Sequence, residues 1–329
     1  MLATTGAVDL HIESYIWTRV LGYRIKERHG RGPLGGRLLS QSDLPRLIEG
    51  GLTGSVWSIA TNPLRRRSRR TAVLVENVRR LRALIEDQGD RFAVVRDRKG
   101  HDDARAGGRH ACWLAIQGGN ALGRVQDLDL IPDGLVSRIT LVHLSHSHVG
   151  GSSNPLGGIA GGRGLTGFGR DLVRAMDERR ILVDLAHISG AGFRDVLDVH
   201  DPSQPVIVSH TGVRGVHDSW RNVSDAQIKA VAETGGVIGI IAHAYALGPV
   251  TRPVAASAMV DHMQHAIRVA GDEHVALGCD WDGFIVTPHD MRTVSELPVL
   301  VQHMLERGFS PERIGRILSG NALRVLATR

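Results

Sequence analysis

Eight short apolar runs alternate with longer amphipathic segments along this chain, and few folds accommodate that order. The runs are Ala7–His11, Gly54–Ala60, Trp113–Gln117, Ile139–Leu144, Ile181–His187, Pro205–His210, Gly236–Ala242 and Val275–Cys279. Their length and strongly apolar character are typical of strands that are buried on both faces. Between most of them, apolar residues recur at three- and four-residue spacing, as in Thr71–Asp87, which predicts amphipathic helices.

Strands that are separated by helices pair in parallel through right-handed crossovers. Eight such units predict an α/β fold of the (β/α)8 TIM-barrel type, and a length of 329 residues fits one barrel domain spanning residues 1–329. A doubly wound open sheet is the alternative for the same order of elements. No glycine-rich dinucleotide-binding fingerprint follows the first run, which removes the main support for that alternative.

Charge and cysteine content bear on the function class and the compartment. The formal net charge is +6, but the one dense basic run, Arg65–Arg70, has no interleaved aromatic residue. We interpret it as a solvated loop and the start of a surface helix, so no nucleic-acid partner is expected. Cys112 and Cys279 both lie in apolar runs, which favours a reducing, cytoplasmic location without disulfides. Neither a signal peptide nor a membrane span is predicted.

Histidine and acidic side chains recur at the ends of the predicted strands. They are His11, Glu13, His143, His187, His210 and Asp280, and Gln117 ends the third run. A barrel of this type carries its active site at the carboxyl ends of its strands. Histidine and carboxylate are the usual ligands of a catalytic zinc ion, and alternate strand residues such as His11 and Glu13 point to the same side. The pattern therefore predicts a metal site at this end of the barrel.

Two further charged residues stand out near these positions. Arg221 lies in “SWRNVSD”, in the loop after His210, where it could clamp a substrate carboxylate through two parallel hydrogen bonds. A surface salt bridge is the alternative role for Arg221. Asp184 lies inside an apolar run, three residues before His187, and this position favours a structural or supporting role.

The segments that carry these residues resemble the membrane (renal) dipeptidase family of zinc peptidases, within the amidohydrolase-like metal-dependent barrels. The matching segments include “VDLHIES”, “GGLTGSVWSIA”, “LAIQGGNAL”, “RITLVHLSH”, “PVIVSHTGVRGVHDSWRNVSD”, “HVALGCDWDGF” and “LSGNALRVL”. They follow the family's order over nearly the whole chain, and the stretch from Gly164 to Asp225 is the most specific. The resemblance implies a (β/α)8 barrel, two zinc ions, the cleavage of dipeptides and a homodimeric assembly.

The resemblance also implies a set of metal ligands. The family's H-x-D pair on the first strand falls on His11 and Glu13, and its metal-bridging glutamate falls on Gln117. Its two histidines for the second metal ion correspond to His187 and His210. Asp280 completes the set of metal ligands.

The same resemblance implies the catalytic and substrate-binding residues. Asp280 corresponds to the acidic residue that handles the catalytic proton. His143 corresponds to a histidine that contacts the substrate and assists catalysis, and Arg221 to the arginine that holds the substrate's terminal carboxylate.

Two positions depart from the family's pattern. Glu13 in place of aspartate lengthens a ligand by one methylene and keeps its charge. Gln117 in place of glutamate removes the negative charge that would lie between two dications, which should weaken a metal pair by several kcal/mol in a poorly solvated site. We therefore expect one ion, zinc or another divalent metal, rather than two. It would bind either at the His187/His210 pair or at the first-strand pair with Asp280.

The leading hypothesis is a metal-dependent hydrolase that cleaves the amide bond of dipeptides or similar small substrates with a metal-activated water. The alternative is a catalytically inactive homologue that acts as a small-molecule binding or scaffold protein, an idea that Gln117 favours. A third hypothesis, a nucleic-acid-associated protein, depends on the basic charge alone. The expected partner is a small dipeptide-like substrate, with no nucleic acid and no membrane.

Overall fold

Parallel strands form the centre of this protein in a computed structural model, which describes residues 2–30, 32, 38–62, 64–155 and 163–327. The described strands are β1 Ala7–Ile12, β2 Leu52–Ala60, β3 Phe92–Val94, β4 His110–Gln117, β5 Val136–Thr140, β6 Leu182–Asp184, β7 Val206–Thr211, β8 Val237–Ile240 and β9 Val275–Leu277. All of them except β3 form a ring in the order β2-β1-β9-β8-β7-β6-β5-β4, which the pairing of β2 with β4 closes. The structure thus confirms the predicted (β/α)8 barrel.

The longest pairing in the ring joins β2 to β4, with Gly54–Ala60 opposite Ala111–Gln117. Every residue of β4 is buried, because packed side chains fill the inside of the barrel and helices cover its outside. β3 pairs with the first half of β4 outside the ring. Sequence analysis missed β3 because its three residues are too few to establish a periodicity.

Helices follow most of the strands. They are α1 Leu2–Thr5, α2 Tyr15–Leu21, α3 Leu44–Glu49, α4 Arg67–Glu86, α5 Arg98–Ala106, α6 Gly167–Glu178, α7 Gly190–Val199, α8 Asp225–Glu233, α9 Ala244–Leu247, α10 Ser257–Ala270, α11 Leu297–Glu306, α12 Pro311–Gly315 and α13 Asn321–Leu326. The basic run leads into α4, which begins at Arg67. A helix able to cross a lipid bilayer, both long and apolar enough, does not occur among the described residues.

Four of the predicted strands end two to four residues too late, and three of these differences bear on the site. β5 ends at Thr140, β6 at Asp184 and β9 at Leu277. The candidate residues His143, His187 and Asp280 therefore each lie three residues beyond the end of a strand, in turns. His187 and Asp280 both adopt a φ of 64°. This left-handed conformation is uncommon for residues other than glycine, and it is concentrated at functional sites.

Candidate active site

A cavity of about 490 Å³ opens at the carboxyl ends of the strands. Six of the eight predicted site residues line it, namely Glu13, Gln117, His143, His187, Arg221 and Asp280. The other two, His11 and His210, are fully buried directly beneath it, in contact with that set. The fold thus brings together all eight predicted site residues, from the ends of β1, β4 and β7, the turns after β5, β6 and β9, and the loop that carries Arg221.

His187 and His210 form the first half of the site. Their Nε2 atoms lie 2.9 Å apart. His210 belongs to β7, and its Nδ1 contacts the hydroxyl of Ser209 at 2.7 Å. Burial, reinforced by nearby positive charge, lowers the pKa of both imidazoles well below the ordinary value. Both rings are therefore neutral at physiological pH, which is the form that binds a metal ion.

His11, Glu13 and Asp280 form the second half. His11 Nε2 lies 3.6 Å from Glu13 Oε1 and 3.5 Å from Asp280 Oδ1. Burial raises the pKa of Glu13 to about 7. The pKa of Asp280 is also raised, first by burial and then by the neighbouring charge of Glu13. Because two buried carboxyls share one pocket, they retain a proton near neutral pH.

Gln117 ends β4 between these halves. Its Nε2 lies 3.5 Å from His187 Nε2, and its Oε1 lies 2.9 Å from Thr140 Oγ1. The Thr140 hydroxyl also lies 2.5 Å from Asp184 Oδ2, and its one proton can serve only one of these acceptors. Whichever end of the amide faces His187, this position contributes no negative charge.

Sequence analysis missed an ion pair inside the barrel, between Arg138 of β5 and Asp184 of β6. Both side chains are fully buried. Arg138 also donates to Thr140 Oγ1 at 2.6 Å, to Ser58 Oγ at 2.9 Å and to His11 Nδ1 at 3.0 Å. The signal that could have revealed it is an arginine directly before an apolar run, two residues before Thr140 and so on the same face of the strand. Asp184 has the supporting role that its position in the sequence favoured.

Arg221 and His143 present polar groups to the cavity. Arg221 donates to the His210 carbonyl at 2.6 Å, and its Nη2 lies 3.3 Å from His187 Nε2. Burial lowers the pKa of Arg221 to about 10, so that it still carries its charge at neutral pH. Burial lowers the pKa of His143 to about 4, so this imidazole is neutral, with its ring edge-on to His187.

Aromatic side chains surround the mouth of the cavity, and sequence analysis did not anticipate them. They are Trp17, Trp220, Tyr245 and Phe284. Phe284 is 68% exposed and packs against Trp17 at a ring-centre distance of 5.9 Å. These residues come from separate loops and helices, so no local pattern in the sequence connects them.

The donor atoms at the base of the cavity fit a divalent metal ion. Within the described part of the chain, His11, His210 and Asp280 each offer a ligand atom within 4.8 Å of the others. The His187 and His210 Nε2 atoms converge at a separation that lets both reach one ion at the usual zinc–nitrogen distance of about 2.0–2.1 Å. His11 Nε2 and Glu13 Oε1 are buried without a hydrogen-bond partner, which also points to an ion or a proton between the acidic groups.

Comparison with known families and proteins finds similarity to dipeptidases. The model of the membrane dipeptidase family, peptidase family M19, matches residues 3–329. Dipeptidase verJ of Clonostachys rogersoniana is 29% identical over 307 residues, which cover 88% of this chain and 76% of that protein. An uncharacterised dipeptidase of Schizosaccharomyces pombe is 34% identical over 167 residues, which cover 50% of this chain and 40% of that protein.

Solved structures show the same fold. The metallopeptidase dipeptidase AC, of family M19, superposes with a TM-score of 0.84 at 24% identity, over 98% of this chain and 97% of that one. A metallopeptidase from Rhodobacter sphaeroides, bound to a phosphinate mimic of the dipeptide L-Ala-D-Ala, superposes with a TM-score of 0.84 at 22% identity, over 98% of each chain. At these identities the superpositions support the barrel itself.

Proposed function

The chain belongs to the membrane dipeptidase family, peptidase family M19, and on this premise we propose that it is a metal-dependent dipeptidase that works with one divalent ion. The observation that carries the proposal is the pair of neutral histidines, His187 and His210, whose Nε2 atoms converge at 2.9 Å next to a cavity that His187, a buried arginine and a buried carboxyl group line. Neutral nitrogen ligands next to an acid–base group are what hydrolysis by a metal-activated water requires.

We propose that His187 and His210 hold the ion and that Asp280 is either the third ligand or a carboxyl group next to the ion. Asp280 offers an oxygen within 4.8 Å of the His210 ligand nitrogen. Zinc is the first candidate, because two histidines and a carboxylate are a common catalytic zinc set. When bound, such an ion would lower the pKa of a water molecule and polarise the substrate carbonyl. Gln117 supports one ion rather than two, because it leaves no negative charge between two dications.

The remaining steps belong to side chains of this chain. Asp280 takes the proton of the attacking water, a task for which a carboxyl of raised pKa is suited once it is ionised. It then delivers that proton to the leaving amine. His143 is neutral and lines the same cavity, so it can donate a hydrogen bond to the carbonyl oxygen as negative charge develops there.

Arg221 defines the substrate end of the cavity. Its guanidinium is charged, buried and adjacent to His187, a position from which it can bind the terminal carboxylate of a dipeptide. A cavity of about 490 Å³ suits a small ligand of this kind. The aromatic mouth favours substrates with an apolar side chain.

A binding protein without catalysis is the second candidate, and Gln117 is the observation that favours it. The experiment that separates the two loads purified protein with zinc and measures the hydrolysis of a panel of dipeptides, with the same dipeptides amidated at the carboxyl end as controls. We expect turnover of the free dipeptides, with one zinc ion per chain. Tight binding of dipeptides to zinc-loaded protein without any turnover would establish the binding protein instead.

A further inference from the structure

We propose that Arg138 imposes opposite protonation patterns on two histidines of the site, so that His210 offers a lone pair to a divalent ion and His11 offers an N–H. The inference rests on the proposed one-ion dipeptidase site. It identifies a positioning residue that decides which half of the site holds the ion. Arg138 is fully buried inside the barrel and contacts neither the cavity nor its opening.

The position of the proton on the His11 ring follows from the chemistry of the guanidinium group of Arg138. Arg138 Nη2 lies 3.0 Å from His11 Nδ1 and 2.9 Å from Ser58 Oγ. A guanidinium group has hydrogen-bond donors only and keeps its proton throughout the physiological range, so His11 Nδ1 must be the acceptor. A neutral imidazole carries one proton, and for His11 that proton must therefore be on Nε2.

The protonated Nε2 of His11 is the atom that faces the acidic pair. It lies 3.5 Å from Asp280 Oδ1 and 3.6 Å from Glu13 Oε1, longer than direct hydrogen bonds but favourable for an N–H between carboxyl oxygens. A protonated nitrogen has no lone pair for a metal ion. Metal-binding histidines usually donate their other N–H to a carboxylate, a carbonyl or water, and at His11 this position is taken by a donor instead.

His210 shows the reverse arrangement, and the same ion pair is responsible. Asp184 accepts from Arg138 and lies 2.7 Å from the Ser209 hydroxyl. Ser209 has one hydroxyl proton, and the carboxylate is the stronger acceptor for it. The 2.7 Å contact between Ser209 Oγ and His210 Nδ1 is therefore donated by the ring nitrogen. His210 Nε2 keeps its lone pair and directs it towards His187.

Gln117 acts on a different requirement for a second ion. It leaves no negative charge between two dications, while the N–H of His11 leaves no lone pair for an ion on that side. Gln117 and Arg138 together account for a site that takes a single ion.

Nitrogen-15 NMR of histidine side chains tests the inference directly. Long-range proton–nitrogen spectra of metal-free protein with labelled histidines report which ring nitrogen carries the proton, and the variants His11→Asn and His210→Asn identify the two sets of signals among the 17 histidines. We expect the proton of His11 on Nε2 and that of His210 on Nδ1. A proton on Nδ1 of His11 overturns the proposal, and this result requires no variant of Arg138.

Metal stoichiometry provides the second measurement, with matched replacements of Arg138. After dialysis against zinc, we expect one ion per chain in the wild type, in Gln117→Glu and in Gln117→Glu/Arg138→Lys, because lysine also has donors only. Gln117→Glu/Arg138→Met should take up two ions, and its His11 signals should shift from the pattern with the proton on Nε2. A second ion in Gln117→Glu alone, or in the lysine variant, contradicts the role of Arg138.

Failure of this inference is distinguishable from failure of the proposed function. If the protein shows the expected histidine protonation and binds one zinc ion but cleaves no dipeptide, the role of Arg138 holds and the proposed dipeptidase activity is wrong. If the protein cleaves dipeptides with two zinc ions bound, the dipeptidase activity holds and the role of Arg138 is wrong.

Discussion

Each half of the site contains a fully buried histidine, His210 in the first and His11 in the second, and the two differ in the group that contacts the far ring nitrogen. Behind His210 is the Ser209 hydroxyl, which is hydrogen-bonded to the Asp184 carboxylate. Behind His11 is the guanidinium of Arg138. An acceptor behind one ring frees the opposite nitrogen for a metal ion, and a donor behind the other ring protonates it. The comparison teaches that a histidine beside carboxylates becomes a metal ligand only when the partner of its far nitrogen permits it.

The largest expected effect separates the two histidines. His210→Asn should lose stoichiometric zinc, with an affinity reduced by more than about 100-fold. Removing a metal ligand lowers the affinity more than removing a residue that only contacts a ligand. His11→Asn should keep one ion with a much smaller change in affinity. Calorimetric titration of both variants with zinc measures the difference. Loss of the ion in His11→Asn and its retention in His210→Asn would reverse the assignment of the two halves.

Removing the cation behind His11 should destabilise the fold. Arg138→Met leaves the buried Asp184 without its partner, which should lower the free energy of unfolding by about 3–5 kcal/mol. Arg138→Met/Asp184→Asn removes both charges and should recover a large part of this loss. Urea denaturation of the metal-free proteins measures both values. Equal stability of the single and double variants would show that the ion pair is not what holds these strands together.

Arg221 stands on the side of the site that holds the ion, and its removal tests where the substrate binds. Arg221→Met should raise KM for free dipeptides by about 30-fold or more, the loss expected when one partner of a buried charge pair is removed, with a smaller change in kcat. Dipeptides amidated at the carboxyl end are the control, because they lack the charge that Arg221 binds. The same rise in KM for both substrates would show that Arg221 does not hold a carboxylate.

The raised pKa values of Glu13 and Asp280 should govern how zinc binding depends on pH. Burial raises the pKa of Glu13 to about 7 and raises that of Asp280, so the pair holds more protons as the pH falls below 7. An ion that uses Asp280 must displace a proton there, and its affinity should fall by up to about tenfold per pH unit between pH 7 and pH 6. The pKa values of His187 and His210 are lowered, so both rings stay neutral in this range.

Asp280→Asn provides the comparison for this pH effect. Its zinc affinity should be lower than that of the wild type at pH 7.5 and nearly independent of pH down to pH 6. Titrations at several pH values measure both slopes. A wild-type zinc affinity that does not change with pH would show that Asp280 does not bind the ion and acts in proton transfer alone.

The barrel could be predicted because its signal is local and repeated. Each apolar run is a buried strand, each periodic segment is a helix, and alternation of the two permits little except parallel pairing. The strand ends were less predictable. The runs that contain His143 and His187 continue past the last paired residue into buried turns, and burial alone does not distinguish a strand from a turn that crosses the core.

The chain's own order of residues determined the barrel, the collection of histidines and carboxylates at one end of it, and the neutral amide at position 117. Only the tertiary structure decided which group contacts the far ring nitrogen of each histidine. Arg138 and His11 are separated by 127 positions and meet because every strand of a closed barrel directs alternate side chains towards one axis. Which nitrogen of a ring is protonated depends on contacts of about 3 Å between such distant residues, and no spacing along the chain encodes them.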